Sequence, residues 1–317
     1  MQAPPELQQN PATKASLQEP RGILRRRFLA LGSVSLAVVA SQVEADGDDE
    51  VSRFARFDGL RVRYESYGTG NEALIFIHGW ACDLTFWRGQ DALYNQPNRR
   101  ALLIDLPGHG ASDKPHRAYP IEFFARAVEA VMRHAQIERA ILIGHSLGGP
   151  IAYAFLREFP EKAAGLVLVD AFVSRHMAGP ADRAATAAHF AKIARSLQGA
   201  AGERHFAERV ESCFTKQTPD ALRAEIRAKM AATPKHVRIA ALTSISSLRP
   251  PADDETFDLP ALAIQAAEPG TQARFELMRS IFPRLQLNSW EGAGHFLMLE
   301  EPQRFNAEIE QFLAERS

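Results

Sequence analysis

Cysteine is nearly absent: the 317 residues include two, Cys82 and Cys213. So few thiols exclude a disulfide-built scaffold, and their spacing excludes a paired-cysteine zinc site. No H-E-x-x-H run occurs, and the sequence gives no ground for expecting a metal or any other cofactor. Charge of one sign is not in excess either, with 37 Lys and Arg against 38 Asp and Glu. No basic stripe interleaves with aromatics, so no nucleic-acid partner is expected. Long apolar runs are lacking too. The run at residues 28–40 would make a helix of roughly 20 Å, short of a hydrocarbon core of about 30 Å, so no stable membrane span is expected in the mature protein.

The amino end reads as a leader. Residues 1–22 are rich in Pro, Gln and Ala and carry no periodicity, which predicts disorder. Arg25-Arg26-Arg27-Phe28-Leu29 then resembles the twin-arginine export pattern R-R-x-F-L, and the apolar stretch behind it suits a signal h-region. Val43-Glu44-Ala45 offers small residues for cleavage, with Val38-Val39-Ala40 as a second choice. Residues 1–45 are therefore read as a signal peptide and leader handed to a bacterial twin-arginine translocase. A periplasmic or secreted protein follows, or a cytoplasmic one if the start is misassigned.

What is abundant is apolar residues, 46% of the chain, enough for a large core. Beyond the leader, strand and helix patterns alternate, the mark of a mostly parallel sheet covered by helices on both faces. Residues 54–57 and 60–66 predict a hairpin about Asp58-Gly59. Short apolar strands are expected at 74–77, 101–104, 140–143, 166–169, 261–264 and 285–289, with helices at 121–135, 151–159, 271–281 and 302–313. Residues 174–257 break the alternation: only helical spacing is found, with Phe190, Ile193 and Leu197 on one face, then Phe206, Val210 and Phe214, then Leu222, Ile226 and Met230. Thr218-Pro219 and Thr233-Pro234 each read as an N-cap followed by a first-turn proline. The expected organisation is a core at 51–173, a helical insertion at 174–257 and the rest of the core at 258–317.

The most informative segment is residues 140–149, an apolar strand feeding Gly144-His145-Ser146-Leu147-Gly148 and then a helix. A G-x-S-x-G on such a turn exposes the serine Oγ, so Ser146 is the candidate nucleophile, and the Leu147 N–H at the helix start is a candidate oxyanion donor. A base is supplied near the carboxyl end, where Gly294-His295-Phe296 follows the last strand in a glycine-rich loop. Of ten histidines, His295 is placed to swing over the serine. His78, His109 and His145 lie inside turn motifs, and the other six fall in helical or loop patterns.

Together these segments resemble the α/β-hydrolase family. Ile75-Phe76-Ile77-His78-Gly79-Trp80 resembles its strand and H-G-x turn, which implies a second oxyanion N–H from Trp80. Residues 105–113 resemble its D-x-P-G-x-G-x-S loop, and the serine and histidine motifs follow in family order. The resemblance implies a mostly parallel eight-stranded sheet with an inserted helical cap. The acid departs from the pattern. Most members carry it after the seventh strand as I-x-G-x-x-D, but here Ala266 replaces the glycine and Pro269 the aspartate. Asp170, ending the sixth strand, is the first choice, as in some haloalkane dehalogenases; Glu268 is the alternative acid, and a dyad without a third member remains open.

A serine nucleophile disfavours epoxide hydrolase and dehalogenase chemistry, which use aspartate. The expectation is a carboxylic-ester hydrolase acting on a small acyl substrate, thioesters and lactones included. A cofactor-free perhydrolase, a carbon–carbon bond hydrolase and a catalytically inactive binding protein are the alternatives.

Overall fold

Asp58 and Gly59 both adopt left-handed backbone, with φ of 49° and 76°. This turn folds β1 (Ser52–Phe57) back on β2 (Leu60–Gly68) in register, as its two-residue geometry requires. The computed structural model describes residues 51–171, 173, 180–245, 249, 252 and 254–316. The leader and its twin-arginine pattern, and part of the segment after Asp170, lie outside the described residues.

Six further strands complete the sheet: β3 (Glu72–Ile77), β4 (Arg99–Ile104), β5 (Ala140–His145), β6 (Ala163–Val169), β7 (Ala261–Ala266) and β8 (Leu285–Trp290). The order is β1-β2-β4-β3-β5-β6-β7-β8, with β2 antiparallel to both of its neighbours, β1 and β4, and every other pair parallel. Every residue of β5 and β7 is buried, which is why residues 140–143 and 261–264 read as unbroken apolar runs. Helices α1 (Asp91–Tyr94), α2 (Ile121–His134), α3 (Gly148–Glu158), α8 (Thr271–Arg279), α9 (Leu297–Glu300) and α10 (Pro302–Glu315) surround the sheet. Between β6 and β7 lie α4 (Pro180–Ser196), α5 (Gly202–Glu211), α6 (Asp220–Ala232) and α7 (Lys235–Ile245). These four helices occupy the stretch expected to be a cap.

Two local expectations fail for physical reasons. Thr218 and Thr233 do not cap the helices that follow them. Pro219 stands at the start of α6 with no side-chain cap, while the buried Thr218 hydroxyl donates to Glu300 at 2.7 Å. The buried Thr233 hydroxyl donates to the Ala81 carbonyl at 3.0 Å. Both hydroxyls tie the cap to the core, a use that outweighs a solvent-facing cap. The segment before α1, Leu84–Gln90, forms a 3₁₀ turn started by Asp83, whose carboxylate takes the Thr85 N–H at 2.9 Å. That turn sends Phe86 and Trp87 into the core, against Phe296 and Phe76.

The strand order reverses between β3 and β5, since the chain steps from β3 outward to β4 and then back across to β5. Such a switch point opens a crevice at the carboxyl ends of the strands. Trp80 follows β3, Ser146 follows β5, Asp170 follows β6 and His295 follows β8, so all four side chains start from that end of the sheet.

Candidate active site

Ser146 has φ of 52°, left-handed backbone that a residue with a Cβ adopts only under constraint. The constraint comes from its own backbone: its N–H donates to Val169 and its carbonyl accepts from Gly149, each at 3.0 Å. Two glycines make the turn possible. A Cβ on Gly144 would lie 2.4 Å from the Gly148 carbonyl oxygen, and one on Gly148 would lie 2.3 Å from that of Ile77. The spacing of G-x-S-x-G is thus a steric requirement of this bend.

The His295 ring meets Ser146 and Asp170 on its two nitrogens. Nε2 lies 2.9 Å from Ser146 Oγ, and Nδ1 lies 2.5 Å from Asp170 Oδ2. A carboxylate can only accept, so Nδ1 carries the proton and Nε2 offers its lone pair to the serine hydroxyl. Asp170 is itself held: its N–H continues the ladder to Ile264 at 2.8 Å, and its Oδ1 accepts the Ala266 N–H at 3.1 Å. The end of β7 here supplies an amide that orients a carboxylate carried at the end of β6. Glu268, the alternative acid, faces Arg274 at 3.5 Å with its side chain 65% exposed and does not contact His295.

A cavity of about 250 Å³ opens above these groups. Trp80 and Leu147 line it from the core, and Phe190, Met230, Leu242 and Ile245 from the cap. Of the apolar cap residues singled out from helical spacing, only Phe190 and Met230 reach the cavity; the rest pack helix on helix or helix on core. Among the described residues, the Trp80 and Leu147 N–H groups donate to no protein acceptor, and Leu147 stands at the start of α3. The Trp80 indole donates to the Arg238 carbonyl of α7 at 2.8 Å, which anchors this loop to the cap. Among the described residues no cluster of His, Cys, Asp or Glu could hold a metal ion.

A family model described as alpha/beta hydrolase fold matches residues 72–217. An esterase from Thermogutta terrifontis superposes with a TM-score of 0.72 at 22% identity, covering 84% of this chain and 99% of that one. A structure described as Est816, an N-acyl homoserine lactone degrading enzyme, matches with a TM-score of 0.66 at 25% identity, covering 82% and 100%. The chain has the α/β-hydrolase fold. A curated relative, 2-hydroxy-6-oxononadienedioate/2-hydroxy-6-oxononatrienedioate hydrolase of Burkholderia vietnamiensis, is 40% identical over 115 residues, 35% of this chain and 40% of that protein. Among the curated relatives compared, the match spans between 34% and 47% of the relative's length.

In this α/β-hydrolase fold the loop carrying the histidine is held from several sides that no local sequence pattern marks. The His295 N–H donates to the Cys213 carbonyl at 3.0 Å, and its carbonyl lies 2.8 Å from His145 Nε2. Gly294 N–H donates to Glu300 at 2.7 Å, the same carboxylate that accepts from Thr218. These partners are far apart in sequence, and no local pattern announces them. Asp105 holds a neighbouring loop: its carboxylate takes the Leu84 and Ala111 N–H groups, each at 2.8 Å. His78 shapes the turn before Trp80, accepting from Leu106 N–H at 3.1 Å, which leaves Nδ1–H to donate to the Gly79 carbonyl at 2.8 Å. Burial pushes the His78 and His145 pKa values down, and pushes that of His109 down to about 3. Burial raises both thiols, that of Cys213 to about 11, so neither thiol of the cavity wall is a ready nucleophile.

Proposed function

We propose that this chain is a serine hydrolase that cleaves a carboxylic ester, a thioester or a lactone through an acyl-enzyme on Ser146. The observation that carries the proposal is the hydrogen-bonded relay Ser146–His295–Asp170. His295 Nε2 takes the Ser146 proton as Oγ attacks the acyl carbon, and Asp170 stabilises the imidazolium that forms. The Trp80 and Leu147 N–H groups receive the oxyanion; loss of one such donor typically costs on the order of 10²–10³ in rate. His295 then returns the proton to the leaving alcohol or thiol and activates the water that frees the acid. In a lactone the leaving oxygen stays tethered to the acyl group.

The test is turnover of a p-nitrophenyl ester series by the wild type and by Ser146→Ala, with fluorophosphonate labelling of both. The wild type is expected to label and turn over. Ser146→Ala is expected to do neither while keeping its circular dichroism spectrum. An unlabelled, inert wild type would favour a binding protein instead.

A second reading rests on the Burkholderia relative, whose named substrate contains no ester bond, so its hydrolysis must break a carbon–carbon bond. A vinylogous 2-hydroxy-6-oxo diacid turned over faster than any ester would favour it. The leader motif Arg25-Arg26-Arg27-Phe28-Leu29 supports a further proposal, export by a twin-arginine translocase to the periplasm or medium. Replacing Arg25 and Arg26 with lysine is expected to hold the protein in the cytoplasm. Unchanged export on cell fractionation would overturn that proposal.

A further inference from the structure

The residue before the nucleophile has no role in the relay just described, yet it touches all three segments that build the site. His145 ends β5, is fully buried and projects its ring under the histidine loop. Its Nε2 lies 2.8 Å from the His295 carbonyl oxygen. A carbonyl only accepts, so Nε2 carries the proton and Nδ1 is bare. Nδ1 is buried and has no hydrogen-bond partner. It faces Gly79 of the loop before Trp80, where a Cβ would lie 2.9 Å away. The ring lies 4.7 Å from that of His295 and 5.4 Å from that of Phe296, with Trp87 meeting it at 6.4 Å in an edge geometry.

We propose that His145 is a positioning residue for the general base: its Nε2–H, donated to the His295 carbonyl, sets the height of the histidine loop over Ser146. This inference rests on the serine hydrolase reading above.

The main chain of His295 has two polar groups, and both are tied down. Its N–H is held by the Cys213 carbonyl from the cap side, and its C=O by His145 from the core. Only the second tie starts on the strand that carries the nucleophile. Ser146 and His145 are adjacent, so the 2.9 Å contact between Ser146 Oγ and His295 Nε2 is closed by a loop running through one hydrogen bond of 2.8 Å. Removing that bond leaves the loop held by Glu300 at Gly294 and by Cys213 at His295, with no tie from His295 to the strand that carries Ser146. A displacement of about 1 Å in a reacting group can cost on the order of 10²-fold in rate.

The ring suits this duty because it keeps one protonation state. Burial drives its pKa well below the usual histidine range, and the neighbouring His295 adds to the effect. When His295 becomes cationic during turnover, His145 therefore stays neutral and keeps its single N–H on the carbonyl. Gly79 completes the fit, since any Cβ there would press on His145 Nδ1 and on Ser146 Cβ, the latter at 3.0 Å.

Glutamine and asparagine test the geometry with nearly equal polarity. The glutamine amide nitrogen reaches about as far as imidazole Nε2, whereas that of asparagine stops near Nδ1. The measurements are kcat and KM on a p-nitrophenyl ester, the pH profile of kcat, the rate of fluorophosphonate labelling, and thermal unfolding as a check of folding. His145→Asn is expected to lose kcat and labelling rate by on the order of 10²-fold, with KM within a fewfold and a displaced pH profile. His145→Gln is expected to recover most of that loss and the wild-type profile. Folded variants that lose equal activity, or that both keep most of it, would overturn the inference. If His145→Asn does not fold, a folded His145→Gln with wild-type labelling supports the proposal and one without it overturns it. An unreactive wild type would overturn the serine hydrolase reading, and this inference with it; a reactive wild type with indifferent variants overturns this inference alone.

Discussion

At the scale of single residues, the site turns on which carboxylate orients His295. Asp170 Oδ2 sits 2.5 Å from Nδ1, while Glu268 is largely exposed beside Arg274. Asp170→Asn is expected to reduce kcat on the order of 10⁴-fold with the fold intact, because an amide can donate to the ring and leave Nε2 protonated against Ser146. Glu268→Gln is expected to change kcat less than a fewfold; measured together, the two variants place the acid. Ser146, His295 and Asp170 were all legible in the sequence, the first two because steric rules make their motifs local. Asp170 is legible through a gap: with no carboxylate at Pro269, the end of the neighbouring strand is the next place from which one can reach the imidazole. The contacts of His145 and Glu300 were not legible. His145 reaches a carbonyl 150 positions away, and Glu300 serves a glycine N–H and a threonine hydroxyl that share no pattern with it.

At the scale of elements, the inner parallel strands could be read because their middles are buried on both faces and therefore apolar, as in Ile141–Ile143 and Leu262–Ile264. Their ends could not. β5 runs on to His145, where Gly144 and His145 keep the ladder but break the apolar run. The cap helices were found by spacing, but what holds them to the core was misread, because a threonine before a proline looks the same whether its hydroxyl caps a helix or reaches across to another element. Thr233 discriminates the two roles. Aspartate is among the best helix caps, so Thr233→Asp would stabilise the protein if this position capped α7. Here the hydroxyl donates to the buried Ala81 carbonyl in the loop after Trp80, and a carboxylate would face that oxygen with no proton to give. Thr233→Asp is expected to lower unfolding stability by about 1–3 kcal/mol or more, the range for leaving a buried acceptor unpaired. Urea denaturation at neutral pH reads the sign directly.

At the scale of the whole molecule, the loops at the carboxyl end of the sheet are braced by neutral imidazoles, and that choice ties stability to pH. His78, His109 and His145 are all fully buried, and burial lowers the pKa of each. His109 shows the arithmetic best. Its Nδ1–H donates to the Pro107 carbonyl at 3.1 Å, its Nε2 is buried without a partner, and its pKa falls to about 3. In the unfolded chain the same ring takes a proton near pH 6.5. Between about pH 6.5 and 3 the unfolded state therefore binds more protons than the folded one, so stability rises with pH across that window and is lost as pH falls through it. The limiting slope is about 1.4 kcal/mol per pH unit for one such ring. Between pH 5 and 7, where ordinary carboxylates titrate little, the histidines should dominate the slope. His109→Phe, which keeps a ring beside Phe124, forfeits the bond to Pro107 and is expected to be less stable at pH 7. Its stability should nevertheless fall less steeply toward pH 5 than that of the wild type. Urea midpoints at pH 5, 6 and 7 for both proteins measure this, and parallel slopes would show that His109 is not held neutral in the folded state.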